Sequence, residues 1–418
     1  MTGAGGFFDP PPRRIAVLRA LALGDLLCAL PALRALRAAA PDATIALVGL
    51  PWAREFVDRY RDCLDEFVEF PGHPAFPERA VDEAARAGFG EHMRALGFDM
   101  ALQLHGSGQI ANDIVAGFGA GRIGGFHPRD EAAPGPGFMP WPETGHEIDR
   151  LRALPLFLGA PDGGRELHFP ITARDRAEAA SLGSPALARA MAQSPRGLLP
   201  ADGPSTDELA ADAPSMPAGP PATRGLICIH PGARLPSRRW PAVRFADVAA
   251  GLIADGWTVA VTGSAGEVDI AADVIALARA RLAANARHDG RAAAPSLFAE
   301  DADAALLNLC GQTSLGALAA VLDRAALLVC NDTGLSHVAA ALRLPSIVIA
   351  SGSEVARWAP LDAALHRVLA TDIDCRPCAY EICPIGHPCA LAISADEVLA
   401  VARAALDTHL HHAEILDA

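Results

Sequence analysis

The densest run of residues able to do chemistry is Asn331-Asp332-Thr333-Gly334-Leu335-Ser336-His337. It follows an apolar stretch, Ala325 to Cys330, that reads as a buried parallel strand, and it opens a helix. Asp332 or Thr333 can cap that helix, and Gly334 keeps side-chain bulk away from its first turn, where Leu335 also lies. Backbone N–H groups and the positive end of the helix dipole meet there, which suits an anion and most naturally a phosphate. His337 falls where it can return toward the helix mouth. An isolated D-T-G is no more than a cap; its meaning depends on what other segments bring.

Three other segments carry candidate groups. A strand from Gly225 to His230 ends in Pro231-Gly232-Ala233-Arg234 and continues through Ser237-Arg238-Arg239-Trp240-Pro241, a loop rich in cations. A strand from Trp257 to Val261 leads into Thr262-Gly-Ser-Ala-Gly-Glu267, which offers a carboxylate. Near the amino end, Ile15 to Leu18 forms a strand, and the turn from Arg19 to Gly24-Asp25 enters a helix through Leu26, Leu30 and Leu33. Asp25 can take a proton from a hydroxyl or simply cap its helix. Arg19 and His105, each just past a first-domain strand, are candidate acceptor contacts.

The elements that position these groups alternate strand and helix in two series, the signature of doubly wound parallel sheets with ligands at the carboxyl ends of the strands. The fold class expected is α/β, with two Rossmann-like domains facing across a cleft. Residues 1–182 form the first domain, 183–223 a flexible linker or insertion, and 224–393 the second domain. Residues 394–418 form a last helix that can pack back on the first domain. Residues 121–145, rich in Gly, Pro and His, read as a long loop, either for an acceptor or disordered. An Ala/Arg-rich piece at 281–303 reads as mobile.

The chain has 418 residues, half of them apolar, and a net charge of −14, which speaks against a general nucleic-acid or membrane-surface binder. Arg19, Asp25, Pro31, Arg34 and Arg37 interrupt the only apolar stretch that resembles a leader. A cytoplasmic protein is expected, with at most peripheral contact at the inner face of the membrane. The first turn, LRALALGD, lacks the G-x-G-x-x-G spacing of a nicotinamide-dinucleotide site. Of nine cysteines, Cys375, Cys378, Cys383 and Cys389 lie within fifteen residues. They have the ligand count of a structural zinc or iron site, or they form a loop of reduced thiols.

HPGA, SRRWP, TGS with Glu267, and GQTSLGALAAVLDRAALLVCNDTGLSHVAAAL, with GDLLCALPALRAL far upstream, together resemble glycosyltransferase family nine, the heptosyltransferase family. The motifs occur in the family's order over residues 14–50 and 225–360. The resemblance implies a glycosyltransferase-B fold. It also implies inverting transfer from a nucleotide diphosphate sugar, typically ADP-heptose, to a lipopolysaccharide-type or other cell-surface glycan acceptor, with no cofactor required. Carried over residue by residue, it makes Asp25 the general base and sets Arg238, with Arg234 nearby, on the donor phosphate. Asp332, Thr333, Gly334, Leu335 and His337 then hold the diphosphate, and Glu267 lies near the ribose or base. The family usually has lysine where Arg238 stands; a planar fork in place of a point charge can alter the donor accepted. A UDP-sugar hexosyltransferase or epimerase of the same fold, or a non-catalytic nucleotide-sugar-binding protein with a structural cysteine-metal site, are the alternatives.

Overall fold

The computed structural model describes residues 6–194, 223–288 and 305–416. The chain forms two compact units, Met1–Pro170 with Ala356–Trp358, and Ile171–Val355 with Ala359–Ala418.

The first unit is built on six strands: β1 (Arg14–Leu18), β2 (Thr44–Gly49), β3 (Glu66–Glu69), β4 (Met100–Gln103), β5 (Arg122–His127) and β6 (Phe138–Pro140). They pair in the order β3-β2-β1-β4-β5-β6, and every pairing is parallel. β1 lies inside the sheet, with Ile15 opposite both Ile45 and Met100. A strand covered on both faces must be apolar throughout, and Ile15-Ala16-Val17-Leu18 is fully buried. Leu26, Leu27, Leu30 and Leu33 are buried along the Leu23–Ala39 helix that leaves β1.

The stretch 121–145, read above as a long loop, instead supplies β5 and β6 at one edge of this sheet. Their glycines give the stretch a turn-like composition, yet the packing calls for them: a Cβ on Gly124 would lie 2.8 Å from the Gly137 carbonyl oxygen and 3.0 Å from Leu102.

The second unit has β7 (Leu226–His230), β8 (Thr258–Val261), β9 (Leu306–Asn308), β10 (Leu327–Asn331), β11 (Ser346–Ile349) and β12 (His366–Leu369), ordered β12-β11-β10-β7-β8-β9 and again all parallel. Its core gathers Ile227, Ile229, Trp240, Phe245, Trp257, Val259 and Val329 between the sheet and the Ala242–Ala254 and Val268–His288 helices. The Ala395–Leu416 helix belongs here: Val398, Ala402 and Leu406 enter this core, so its buried face is used within the second unit. Within the stretch read as a linker, Pro185–Gln193 is a helix capped by the Ser184 hydroxyl, with Leu187 and Ala190 buried. The rest of that stretch from 195 to 222, and the Ala/Arg-rich piece from 289 on, lie outside the described residues. Among the described residues no helix is long and apolar enough to cross a membrane.

The two sheets have the α/β architecture of the expected class. In both units the candidate groups lie where a strand's carboxyl end passes into a helix.

Candidate functional site

In the first unit the candidate groups collect around Arg19. This arginine directly follows β1, and its side chain is 1% exposed. Its guanidinium donates from Nε to the Asp25 carbonyl (2.8 Å) and from Nη1 to the Leu104 carbonyl. Nη2 lies 3.5 Å from Glu147 Oε1 and 3.8 Å from Asp25 Oδ1. A buried cation needs such partners, since an unpaired charge away from water costs several kcal/mol. Asp25 sits in the first turn of the Leu23–Ala39 helix, which no side chain caps, and its carboxylate remains 26% exposed. The structure therefore leaves the Asp25 oxygens accessible while Arg19 holds the backbone from which they project.

His105 stands beside Arg19. Its Nδ1 accepts from the Ala20 N–H (3.2 Å), and its ring stacks on Phe76 with centroids 4.4 Å apart. Burial, assisted by the Arg19 charge, pushes the imidazole down to about 4, so the ring is neutral at pH 7. The turn beyond it depends on Gly108, at φ +105°, where a Cβ would meet the Phe126 carbonyl oxygen at 2.2 Å. Glu147 and Arg357 join the cluster without having been foreseen. Glu147 is 3% exposed, and its Oε2 accepts from Arg357 Nε at 2.8 Å.

In the second unit the candidate groups gather at the carboxyl ends of β7, β8 and β10. Thr333 caps the Gly334–Ala341 helix, its Oγ1 accepting from the Leu335 N–H at 3.2 Å, while its carbonyl accepts from the Ser336 hydroxyl at 2.7 Å. Asp332 is not the cap; it lies close enough to favour the charge on Arg238. Gly334 is the first helical residue and part-exposed. Leu335 and His337 are buried, the latter only 3% exposed and within electrostatic reach of His366.

Asn331, immediately before this turn, fixes the cationic loop. Its Oδ1 accepts from the Trp240 N–H (2.9 Å), and its Nδ2 donates to the carbonyls of Pro231 (2.8 Å) and Gly232 (3.2 Å). Both ends of the 231–240 loop are thus tied to one fully buried amide at the end of β10. Trp240 locks the far end by filling the core against Phe245 and donating from Nε1 to the Ile393 carbonyl at 3.0 Å. Within the loop Arg234 is exposed, and Arg239 turns back to the Ala233 carbonyl.

Arg238 donates to the carbonyls of Ser351 (3.3 Å) and Cys378 (2.5 Å), which takes up two of its five N–H groups. Burial pulls its guanidinium below its usual value, with Cys378 and Asp332 acting the other way.

Glu267 closes the turn after β8. Its Oε2 accepts from the Ser264 N–H (2.8 Å) and hydroxyl (2.7 Å). Burial opposes its charge, but the nearby His230 ring, the Ser264 bonds and Arg239 outweigh it and hold the carboxyl below the usual carboxylate range. His230 ends β7 with Nδ1 3.2 Å from Thr262 Oγ1, and burial pushes its imidazole down. Gly232 makes room for this group, since a Cβ there would lie 2.0 Å from Glu267 Oε1.

The cysteine loop packs on the Arg238 turn. The Ser237 N–H and hydroxyl donate to the carbonyls of Glu381 (2.9 Å) and Tyr380 (2.5 Å), and His387 Nε2 lies 2.9 Å from the Ser237 carbonyl. Cys375, Cys378, Cys383 and Cys389 are all free thiols. Cys389 is buried while the other three are part-exposed, and Cys383 Sγ accepts from the His387 N–H at 3.1 Å. Among the described residues no three His, Cys, Asp or Glu side chains are placed to hold a metal ion, so the spacing is not drawn into a ligand set here.

Sequence motifs located both groups of residues but gave Asn331 no role of its own and missed Glu147 and Arg357. A polar amide closing an otherwise apolar strand was the available signal for Asn331; nothing local marks the other two.

Residues 186–388 match the family model for glycosyltransferase family 9 (heptosyltransferase). No curated protein matches by sequence. Among solved structures, the glycosyl transferase family 9 from Veillonella parvula DSM 2008 is similar at 21% identity and a TM-score of 0.64, over 94% of this chain and 97% of that one. E. coli ADP-heptose lps heptosyltransferase II is similar at 19% identity and a TM-score of 0.63, over 94% and 99%. E. coli heptosyltransferase WaaC with ADP-2-deoxy-2-fluoro heptose follows at 17% and 0.55, over 93% and 99%. At these identities the structures speak to the fold, which is that of glycosyltransferase-B enzymes. Residues 186–388 thus carry a match to glycosyltransferase family 9, within a chain whose fold over more than nine-tenths of its length is that of the glycosyltransferase structures.

Proposed function

We propose that this glycosyltransferase moves a sugar, heptose in the first instance, from a nucleotide diphosphate donor to a hydroxyl of a lipopolysaccharide-type or other cell-surface glycan, with inversion at the anomeric carbon. The observation that carries the reading is Asp25: a carboxylate in a first helical turn, backed by a buried arginine and open to solvent on its other side. It takes the proton from the attacking acceptor hydroxyl, a role that typically contributes ~10²–10⁴-fold.

The leaving diphosphate gains negative charge as the glycosidic bond breaks. Arg238, with Arg234 nearby and the N–H groups opening the Gly334–Ala341 helix, meets that charge. Glu267 accepts from the donor ribose. The first unit takes the acceptor and the second takes the donor; Arg19, buried and committed to internal partners, serves Asp25 rather than contacting the acceptor as its position past β1 suggested, while His105 stays a candidate acceptor contact. E. coli WaaC has been solved with an ADP-heptose analogue, which supports ADP-heptose as the first donor to test. A lipopolysaccharide-type acceptor would bring the enzyme to the inner face of the cytoplasmic membrane.

Arginine in place of the usual lysine at 238 favours a second reading in which the same machinery uses another sugar nucleotide, such as a UDP-hexose. The test pairs a panel of ADP- and UDP-sugars in thermal-shift assays with turnover on heptose-deficient lipopolysaccharide, and reads the product's anomeric configuration by NMR. Asp25→Asn should abolish transfer and leave donor binding intact. Full transfer by Asp25→Asn, or a retained configuration, refutes the mechanism; a UDP preference selects the second reading.

A further inference from the structure

Glu147 is an anomaly that the proposed chemistry does not require. It is a buried carboxylate, 3% exposed, with one oxygen 3.5 Å from Arg19 Nη2 and the other 2.8 Å from Arg357 Nε. Arg19 has a second carboxylate neighbour, Asp25, at 3.8 Å. The result is a four-member chain of charges, Asp25, Arg19, Glu147 and Arg357, within the first unit. Its last member comes from Ala356–Trp358, a three-residue segment flanked on both sides by chain of the second unit.

Each link has a physical consequence. Arg19 is almost wholly buried, so its guanidinium must find counter-charge inside the protein. With Glu147 in place that charge is shared, and Arg19 can bond the Asp25 carbonyl while remaining 3.8 Å from the carboxylate. Without Glu147, the nearest remaining anion is Asp25 itself. A carboxylate drawn into close contact with a guanidinium is a weaker base and is turned from its productive direction. Arg357 acts one step further out by orienting Glu147 through the shorter and better formed of its two ion pairs. Glu147 also opens the Glu147–Phe157 helix, whose dipole favours a carboxylate at that end.

We infer that Glu147 and Arg357 are positioning residues for Asp25, acting through Arg19. The inference rests on the reading of Asp25 as the base.

The experiment is a double-mutant cycle on the full chain: Glu147→Gln, Arg357→Gln and the pair. kcat and both KM values are measured with heptose-deficient lipopolysaccharide and ADP-heptose, or the sugar nucleotide that the panel selects. Glu147→Gln is expected to lower kcat about 10- to 30-fold and Arg357→Gln about 3- to 10-fold, with both KM values within about twofold of the parent. Because Arg357 works only through Glu147, adding Arg357→Gln to Glu147→Gln should cost nothing further, and Arg357→Lys should restore most of the activity. Thermal midpoints and donor affinity check folding; Arg357 is part-exposed, so its variants keep the test open if Glu147→Gln folds poorly.

Additive losses, a loss confined to KM, or parental kcat in Glu147→Gln while Asp25→Asn is dead would each overturn this inference and leave the base standing. Undiminished turnover by Asp25→Asn, or no turnover with any donor, would overturn the base and this inference together.

Discussion

Replacing Asn331 by alanine tests whether a single buried amide holds the 231–240 loop. Asn331 is fully buried and serves three backbone groups: the Trp240 N–H at 2.9 Å and the carbonyls of Pro231 at 2.8 Å and Gly232 at 3.2 Å. Truncation leaves the first two without a partner at positions that are themselves buried. A buried polar group stripped of its hydrogen bond costs about 1–3 kcal/mol, and the longer third bond adds less. Allowing for partial relaxation of the loop, the loss for Asn331→Ala is about 3 kcal/mol, large against the ~5–15 kcal/mol that holds a domain together. Urea unfolding gives the total, and hydrogen exchange of peptides covering 231–240 localises it. Because Arg234 and Arg238 ride on this loop, nucleotide affinity should fall along with its protection. A loss below about 1 kcal/mol with unchanged exchange in 231–240 would refute the reasoning.

Other outcomes follow from the same geometry. Burial holds the His105 and His366 imidazoles down to about 4, against 6.5 in an unfolded chain. Between those values the unfolded chain binds protons that the native one does not. Stability is therefore full above about pH 6.5 and falls as pH drops toward 4, by up to ~3 kcal/mol for each histidine; His366→Gln should flatten its share in pH-dependent urea melts. Gly232→Ala would set a Cβ 2.0 Å from Glu267 Oε1 and push the carboxylate off Ser264; nucleotide affinity should weaken ~10-fold in calorimetric titration, about 1.4 kcal/mol, with little change if Glu267 has no part in binding. Arg238→Lys should raise the donor KM ~10-fold and speed alkylation of Cys378, because an ammonium cannot span the Ser351 and Cys378 carbonyls; an unchanged alkylation rate would show that the guanidinium does not hold the cysteine loop.

Legibility in the sequence followed the range of each interaction. Buried parallel strands are apolar runs, so β1, β2, β7, β8, β10 and β11 could be read from Ile15-Ala-Val-Leu18 and its counterparts. β5 and β6 could not, because glycines needed for close packing at 124 and 137 look like turn residues. The motif at the end of β10 was legible because the cap, the helix mouth and the preceding strand are contiguous in 327–337. Thr333 as the cap, rather than Asp332, depends on backbone angles that composition leaves open. Glu147 and Arg357 lie 210 residues apart, and each is an ordinary charged residue in its own neighbourhood; only the fold brings them together. The cysteines were conspicuous for the opposite reason: their spacing is local, but spacing does not set thiol direction, and Cys389 turns into the protein while the other three stay part-exposed.

The departure from lysine at 238 and the cysteine loop, which the sequence presents as two separate peculiarities, are physically one. A lysine ammonium at this position would be a mobile point charge with no planar fork to bridge two carbonyls. The Arg238 guanidinium instead spans from the Ser351 carbonyl, just past β11, to the Cys378 carbonyl in the cysteine loop. The neighbouring Ser237 bonds the same loop through its N–H, hydroxyl and carbonyl. Close packing enforces the match, since a Cβ on Gly352 would lie 2.9 Å from the Cys378 side chain and 3.3 Å from Arg238 Nη1. The loop thus acts as a brace that fixes the direction of the cation. In the proposed role of Arg238 at the leaving diphosphate, a charge fixed before the reaction spares the cost of orienting it, and a preorganised guanidinium then exceeds a flexible ammonium in value.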